Sequence, residues 1–209
     1  MKDNEQFNKY LKAARLAREE DNTEDAKKYY DLVKMEDPDC AEAKFFYAYY
    51  TMMDGKQGEL YNLFTRFSEV VCPAVKATAR SEESNEEKFA LLKSMLASIL
   101  PLPLFVNRVL NNLNKGTNGL YSSEIRSAGV KSMVMLYEFG DEVEKNFGEN
   151  EVMLKEISVE AWKAGVARQQ MWYGMGLDKT FPEKYTAKIQ KFDSTYVLPK
   201  KGGCIQVVK

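Results

Sequence analysis

The chain has 209 residues with 30 basic and 31 acidic side chains, so its formal net charge is −1, and hydrophobic residues make up 44% of it. This composition is that of a globular protein, and the balanced charge argues against a nucleic-acid partner. The chain contains no histidine, which excludes Ser-His-Asp and Cys-His nucleophile systems and metal sites with imidazole ligands. No paired catalytic spacing of other residues emerges. We therefore expect a protein that is not an enzyme and that holds no cofactor and no metal.

The cysteines and the most apolar run indicate the compartment. Cys40, Cys72 and Cys204 lie far apart and form no CxxC pair, which is typical of a reduced cytoplasmic protein. The start of the chain is polar and lacks the apolar core of a signal peptide. The most apolar run, residues 97–106, contains two prolines and is shorter than the roughly 20 residues of a membrane-spanning helix. We predict a cytoplasmic protein that does not contact a membrane.

The N-terminal part of the chain is predicted to be helical. Apolar residues recur at the spacing of one helix face at Phe7, Tyr10, Leu11, Ala14 and Ala17. A second helix can be capped by Asn22 or Thr23 and ends before Pro38. A third, residues 41–53, is apolar nearly all round and should be buried on most sides or line a groove. A fourth begins at residue 60 and is broken or bent at Pro73.

The rest of the chain is predicted to form helices joined by polar turns. Ser84 and Glu87 form a capping-box pattern at the start of the fifth helix. Residues 115–119 form a turn that lacks the residue order of a phosphate-binding loop. Further helices are expected at residues 101–114, at 120–147 with an interruption at Gly140-Asp141, at 151–173, and at 180–192 with Thr180 and Glu183 as a second capping box.

No stretch alternates apolar and polar residues over enough positions to predict a sheet. We predict an all-α protein of about nine helices arranged as antiparallel hairpins. Residues 1–74 are expected to form helical repeats. Residues 75–197 are expected to form a helical bundle packed on them, and residues 198–209 a tail, within a single compact domain overall.

The first forty residues follow a repeat pattern. Tyr10-x2-Ala13-Ala14-x2-Ala17 in the first helix is followed by Ala26-x3-Tyr30 in the second and then by Pro38. This order resembles the tetratricopeptide repeat, a 34-residue hairpin of two antiparallel helices. A degenerate second copy begins at Ala41-Glu42-Ala43 and places Ala48, Gly55 and Phe64 at matching positions. The resemblance implies superhelical packing of the N-terminal half.

The resemblance also implies a concave groove that holds a peptide or protein segment. Its lining would come from the first helix of each repeat: Leu11, Arg15, Arg18, Glu19, Phe45, Tyr49, Met52 and Met53. Two arginines beside an aromatic and methionine strip suit an acidic, partly apolar partner. Reversing both arginine charges should then abolish binding and leave the fold intact. In the alternative reading the later helices fill the groove, the apolar residues are core, and the arginines are solvated or locally paired.

A second candidate site lies in the C-terminal half. The helix at residues 151–173 places Trp162, Val166, Gln169 and Tyr173 on one face. Together with Tyr49, this face could line a pocket for a small apolar ligand between the two halves. The alternative is a buried tryptophan with satisfied polar neighbours.

Charge is unevenly distributed in the last third of the chain. Acidic residues concentrate at 141–160, where a solvated helix face is expected in preference to a carboxylate site for Mg²⁺ or Ca²⁺. Residues 178–209 are basic, and they could lie on the acidic region or meet an acidic partner. The expected function is a non-catalytic scaffold that binds a protein or peptide, with small-ligand binding as the alternative.

Overall fold

The computed structural model of the chain describes residues 5–56, 59–116, 122–172 and 176–202, which form helices and connecting turns with no strand among them. The all-α prediction is confirmed. The helices are α1 Glu5–Glu19, α2 Thr23–Glu36, α3 Ala41–Met53, α4 Leu60–Arg80, α5 Asn85–Ile99, α6 Leu102–Gly116, α7 Ser122–Phe147, α8 Glu151–Met153, α9 Val159–Met171 and α10 Phe181–Gln190. A π-helical segment, Leu154–Ser158, joins α8 to α9 without a break.

Local capping explains why several helices begin where the sequence predicts. The Asn22 side chain accepts a hydrogen bond from the backbone N–H of Asp25 at 3.2 Å and caps α2. At α5 the backbone N–H of Ser84 donates to the Glu87 carboxylate at 2.9 Å, and the Glu87 N–H donates to the Ser84 hydroxyl at 3.3 Å. The predicted capping box of α5 is therefore confirmed.

Two predicted interruptions are absent. Helix α4 continues through Pro73 to Arg80, so of the two predicted alternatives at Pro73, a break or a bend, the break is wrong. Proline removes one backbone donor, but the buried apolar face of α4 extends on both sides of it and favours a continuous helix. Helix α7 likewise continues through Gly140. The predicted turn at residues 115–119 lies mostly outside the described residues.

Helix α10 begins differently from the prediction. The Thr180 hydroxyl donates to Oδ1 of Asp178 at 2.7 Å and forms no cap hydrogen bond with the helix. The predicted capping box of Thr180 with Glu183 is wrong, because Thr180 has helical backbone angles, φ −84° and ψ −18°, and not the extended conformation of a capping residue.

The chain divides into two compact units, Met1–Leu91 and Leu92–Lys209. The division falls within α5, whereas the predicted boundary at 74/75 lies inside α4. That boundary followed from the end of the degenerate second repeat, beyond which the sequence shows no further copy. The predicted separation of a tail at residue 198 also changes, because Leu198 packs on the core of the second unit and the Gly202 N–H donates to the Gln170 carbonyl at 3.0 Å.

In the first unit, consecutive helices pack on one another: α1 on α2, α2 on α3 and α3 on α4. Ala14 of α1 and Ala26 of α2 are fully buried, and their small size allows the close approach of these two helices. The core is aromatic. The Tyr30 ring stacks on Phe46 with centroids 5.2 Å apart, and Phe45 meets Phe67 edge-on at 5.4 Å.

In the second unit, α7, α9 and α10 enclose a core that contains both tyrosine and tryptophan. Its buried members are Tyr137, Val159, Trp162, Val166, Tyr185 and Ile189. The Tyr137 and Tyr185 rings stack with centroids 4.1 Å apart. Partly buried aromatic residues of α10 and of the segment after it cover this core, so the segment up to residue 202 lies along the unit.

Among the described residues, one stretch, Asn85–Leu113, is long and apolar enough to cross a membrane by length and composition alone. Its most apolar window has a mean hydropathy of 1.9, and 44% of that window is buried. Core helices of soluble proteins meet the same criterion. The expected absence of membrane contact therefore stays a prediction.

Candidate functional site

The two arginines predicted to face a partner bind a buried carboxylate of their own unit. Glu42, at the start of α3, is only 3% exposed. The Nε and Nη2 of Arg15 donate to the two carboxylate oxygens of Glu42 at 2.6–3.1 Å. Nη1 of Arg18 donates to Oε1 at 3.2 Å, and the Tyr30 hydroxyl donates to the same oxygen at 2.8 Å. The arginines are thus locally paired, as in the alternative reading.

This pairing affects the ionisation of its members. The hydrogen bonds to Glu42 raise the pKa of Arg15 despite the opposing effect of burial. Burial, followed by the charge of Glu42, raises the pKa of the Tyr30 hydroxyl. The Arg18 guanidinium also lies 4.4 Å from the centre of the Phe46 ring. These contacts hold α1, α2 and α3 together through the guanidinium groups of both arginines, although the Arg15 side chain is still 46% exposed.

The other predicted groove residues do not form one open surface. Phe45 and Met52 are buried core, because α3 is covered on both sides by α2 and α4. Leu11 and Tyr49 are half-buried, and Glu19 and Met53 are exposed. The groove assignment is therefore corrected for Phe45, which is core, and both arginines bind Glu42 within their own unit. Sequence reasoning missed Glu42, whose partners lie 12 to 27 residues away and leave no local pattern.

The residues of the second predicted site, on the helix at residues 151–173, also lie mostly in the core. Trp162 and Val166 are fully buried, and Tyr173 lies outside the described residues. The indole Nε1 of Trp162 donates to Asp141 at 3.0 Å. The Gln169 amide accepts from the Tyr137 hydroxyl at 2.9 Å and donates to a backbone carbonyl at 2.8 Å. The set matches a buried tryptophan with satisfied polar neighbours.

Gln169, one of the described residues of the second predicted site, also borders a cavity of about 290 Å³. The cavity lies between the end of α9, the start of α10 and the C-terminal segment, where Trp172, Pro182 and Leu198 complete its wall. Tyr49 belongs to the first unit and has no place in this wall.

The acidic stretch of the sequence meets the basic C-terminal region within the second unit. Asp141 accepts from the Tyr185 hydroxyl at 2.7 Å and from Nζ of Lys188 at 2.9 Å, and Lys188 also pairs with Glu144. Burial lowers the pKa of Lys188, but the hydrogen bonds that it donates to both carboxylates outweigh this effect and leave the pKa raised. Among the described residues, no three potential ligands group closely enough to hold a metal ion.

Asp193 yields a prediction of acid sensitivity. Its carboxylate accepts from Nζ of Lys163 and from the Thr195 hydroxyl, both at 2.7 Å, and the Lys163 contact followed by the Thr195 contact lowers its pKa from 3.8 to about 2. Because the folded-state pKa lies below the unfolded one, the contribution to stability is complete above pH 3.8 and is lost as the pH falls through 2. We expect Asp193→Asn to be less stable than the wild type at pH 7 and to lose less stability between pH 4 and pH 2.

Urea unfolding at a series of pH values measures both curves. The other carboxylates titrate in both proteins, so their contribution to the pH dependence of stability cancels when one curve is subtracted from the other. Parallel curves across this range would show that the Asp193 contacts are absent in solution.

An open cleft of about 380 Å³ lies between α3 and α4 in the first unit. We call it the α3–α4 cleft. Its walls are Tyr47, Ala48, Thr51 and Met52 of α3 with Leu63, Phe67, Val70 and Pro73 of α4, and its rim is Lys34, Lys44, Arg66 and Glu69. The walls are mostly apolar, and the volume is in the range of ligand-binding clefts, about 300–1,000 Å³. The Thr51 hydroxyl oxygen is buried and has no hydrogen-bond partner among the described residues.

The rim of the cleft carries three cations and one carboxylate. Nζ of Lys34 lies 3.6 Å from the centre of the Tyr47 ring and 3.7 Å from Asp31. Lys44 pairs with Asp39 at 2.8 Å. Arg66 is exposed and forms no ion pair with any side chain that the structure describes. The cleft thus combines apolar walls with a rim of three cations, of which Arg66 has no carboxylate partner among the described side chains.

The cleft was not among the sequence predictions, although a signal for it exists. Lys44, Tyr47, Ala48 and Thr51 on α3 are spaced i, i+3, i+4 and i+7, and Leu63, Arg66, Phe67 and Val70 on α4 have the same spacing. Each set marks one face of its helix. Only the packing of α3 on α4 reveals that the two faces border one cleft.

Taken together, the helices and the cleft define an all-α protein with an apolar, positively rimmed cleft between two packed helices. No family model matches the chain, and neither a curated protein nor a solved structure matches it significantly.

Proposed function

We propose that this protein is a non-catalytic scaffold that binds a segment of another protein in the α3–α4 cleft. The observation that carries the proposal is the combination of an apolar cleft of about 380 Å³ with three cations at its rim. Burial of apolar side chains in the walls supplies affinity. The rim charges favour an acidic partner and speed its association.

The chemistry of the lining favours binding over catalysis. The described lining residues are chiefly apolar, and their ionisable groups lie at the rim. The Thr51 hydroxyl has no hydrogen-bond partner among the described residues, so none of them is placed to activate it as a base. The few cysteines of the sequence favour a cytoplasmic location for such a scaffold.

The alternative, a binding protein for a small apolar ligand, retains one supporting observation. The cavity beside Gln169, at about 290 Å³, is large enough for a small molecule. We rank this function second because Trp162 and Val166, the apolar residues assigned to that pocket, are enclosed in the core.

Selection from a displayed library of random peptides tests the proposed function. We expect the wild type to enrich peptides whose affinity falls at least about tenfold, ~1.4 kcal/mol, in an Ala48→Glu variant. Ala48 is half-buried in the cleft wall, so the new side chain fills the cleft and repels acidic segments. Ala187→Glu, on the exposed face of α10, is the matched control and should bind like the wild type.

Circular dichroism checks that both variants fold. Peptides that bind the wild type and Ala48→Glu equally would refute the cleft as the site. A selection that enriches no peptide at all would refute the scaffold function itself.

A further inference from the structure

We infer that the segment bound in the α3–α4 cleft is an amphipathic α-helix from another protein, with acidic residues flanking its apolar face. This inference rests on the proposed function. It adds the conformation and the chemistry of the partner, neither of which follows from the existence of a cleft alone.

The shape of the cleft favours a helix. On α3 the lining runs from Lys44 to Met52 and on α4 from Leu63 to Pro73, so the cleft follows both helix axes. At 1.5 Å per residue these stretches are about 12 and 15 Å long. A trough of this kind between two packed helices accepts the ridge of a third helix of about three turns.

Backbone hydrogen bonding also favours a helix. The backbone groups of α3 and α4 within the cleft are engaged inside their own helices, except that Pro73 has no N–H to donate to the Glu69 carbonyl. In the described walls, an extended segment would find the Thr51 hydroxyl and few other polar groups with which to form hydrogen bonds. An extended segment would therefore bury N–H and C=O groups without hydrogen bonds, at a cost that a helix avoids because it bonds its own backbone.

The walls and rim specify which side chains the partner helix carries. Apolar residues at i, i+3, i+4 and i+7 would lie against Ala48, Leu63 and Val70. Glutamate or aspartate beside that stripe would reach Arg66, which lacks an ion pair with any described side chain. The present carboxylate partners of Lys34 and Lys44 are exposed, so a partner's carboxylates can replace them at little cost.

The occupant is another protein and not a second copy of this chain. The exposed large apolar side chains of the described residues are scattered over seven different elements: Leu16, Met35, Met53, Leu104, Val152, Met171 and Val197. None of the described helices presents an exposed apolar stripe that could enter the cleft of a second copy.

Fluorescence anisotropy with designed peptides tests the inference. The probe is a labelled peptide of about 15 residues with leucine at i, i+3, i+4 and i+7 and glutamate at the flanking positions. One control peptide has the same composition with leucines at alternate positions, and another has lysine in place of each glutamate. We expect the probe to bind the wild type at least about tenfold more tightly than either control. We also expect Arg66→Glu to weaken binding of the probe by a similar factor.

The remaining outcomes separate the two proposals. If the library peptides bind in the cleft but are basic, proline-rich or bound in an extended form, the proposed function stands and the helical partner is refuted. If sedimentation shows a dimer of the wild type that Ala48→Glu dissociates, the occupant is a second copy and the inference falls. If neither the probe nor any library peptide binds, both proposals fail. Because Arg66 is exposed and forms no described ion pair, its variant should fold normally.

Discussion

The Arg15→Ala, Arg18→Ala double variant will lose about 3 kcal/mol of its free energy of unfolding. Glu42 is 3% exposed and would keep only the Tyr30 hydroxyl as a described side-chain partner. A buried carboxylate without its cations is strongly destabilising, by about 3–5 kcal/mol in comparable cases. We expect the lower end of that range because the Arg15 side chain is 46% exposed, so water can enter the space it leaves. Urea unfolding at pH 7 measures the loss.

A triple variant that adds Glu42→Gln is the matched control. It removes the charge of Glu42 but keeps an oxygen that can accept from the Tyr30 hydroxyl, so most of the lost stability should return. An unchanged urea midpoint in the double variant would contradict the pairing seen in the structure. The same contacts overturn one expectation from the sequence: reversing both arginine charges would repel Glu42 and disrupt the fold, so it cannot serve as a test of binding alone.

Gly140→Ala will destabilise the second unit by about 2 kcal/mol, the middle of the range for overpacked cores. A Cβ atom at this position would lie 2.5 Å from Nε1 and 2.7 Å from Cδ1 of Trp162, and 3.0 Å from the backbone oxygen of Ser158. The indole cannot move aside easily, because it is fully buried and donates to Asp141. Urea unfolding followed by circular dichroism measures the effect.

Gly116→Ala is the control for the same substitution. Gly116 ends α6, and no atom lies within 4 Å of a Cβ atom placed there. We expect this variant to be as stable as the wild type or more stable by up to about 1 kcal/mol, the helix-propensity difference between the two residues. Equal effects of the two alanines would refute the close approach of α7 to Trp162.

The sequence was sufficient for helices with strong local end signals. Helix α3 occupies residues 41–53 as predicted, because Pro38 precedes it and Asp54-Gly55 follows it. The continuation of α4 past Pro73 could not be predicted in the same way. It depends on whether tertiary packing outweighs one missing hydrogen bond, and that balance is not visible in a local pattern.

The candidate site was harder to predict than the fold. The tetratricopeptide resemblance pointed to the first helix of each hairpin and so to Arg15 and Arg18. The α3–α4 cleft instead lies between the two helices of the second hairpin. Helix α3 is apolar nearly all round, so its sequence does not distinguish Phe45 from Tyr47. The helices packed against α3 decide that Phe45 belongs to the core and Tyr47 to the wall of the cleft.

The π-helical segment Leu154–Ser158 has a consequence for length variation in this region. A π turn accommodates one residue more than an α turn, which is how a helix absorbs a single-residue insertion without breaking. Removal of one residue from this segment would restore a uniform α-helix and leave the residues after it in nearly the same phase, because one α turn takes the place of one π turn. Trp162 would keep its direction towards Asp141 and the core that it fills. The same deletion at residues 159–161, where the helix is already α-helical, would instead rotate Trp162 by about 100° and lose the phase that assembles the second unit.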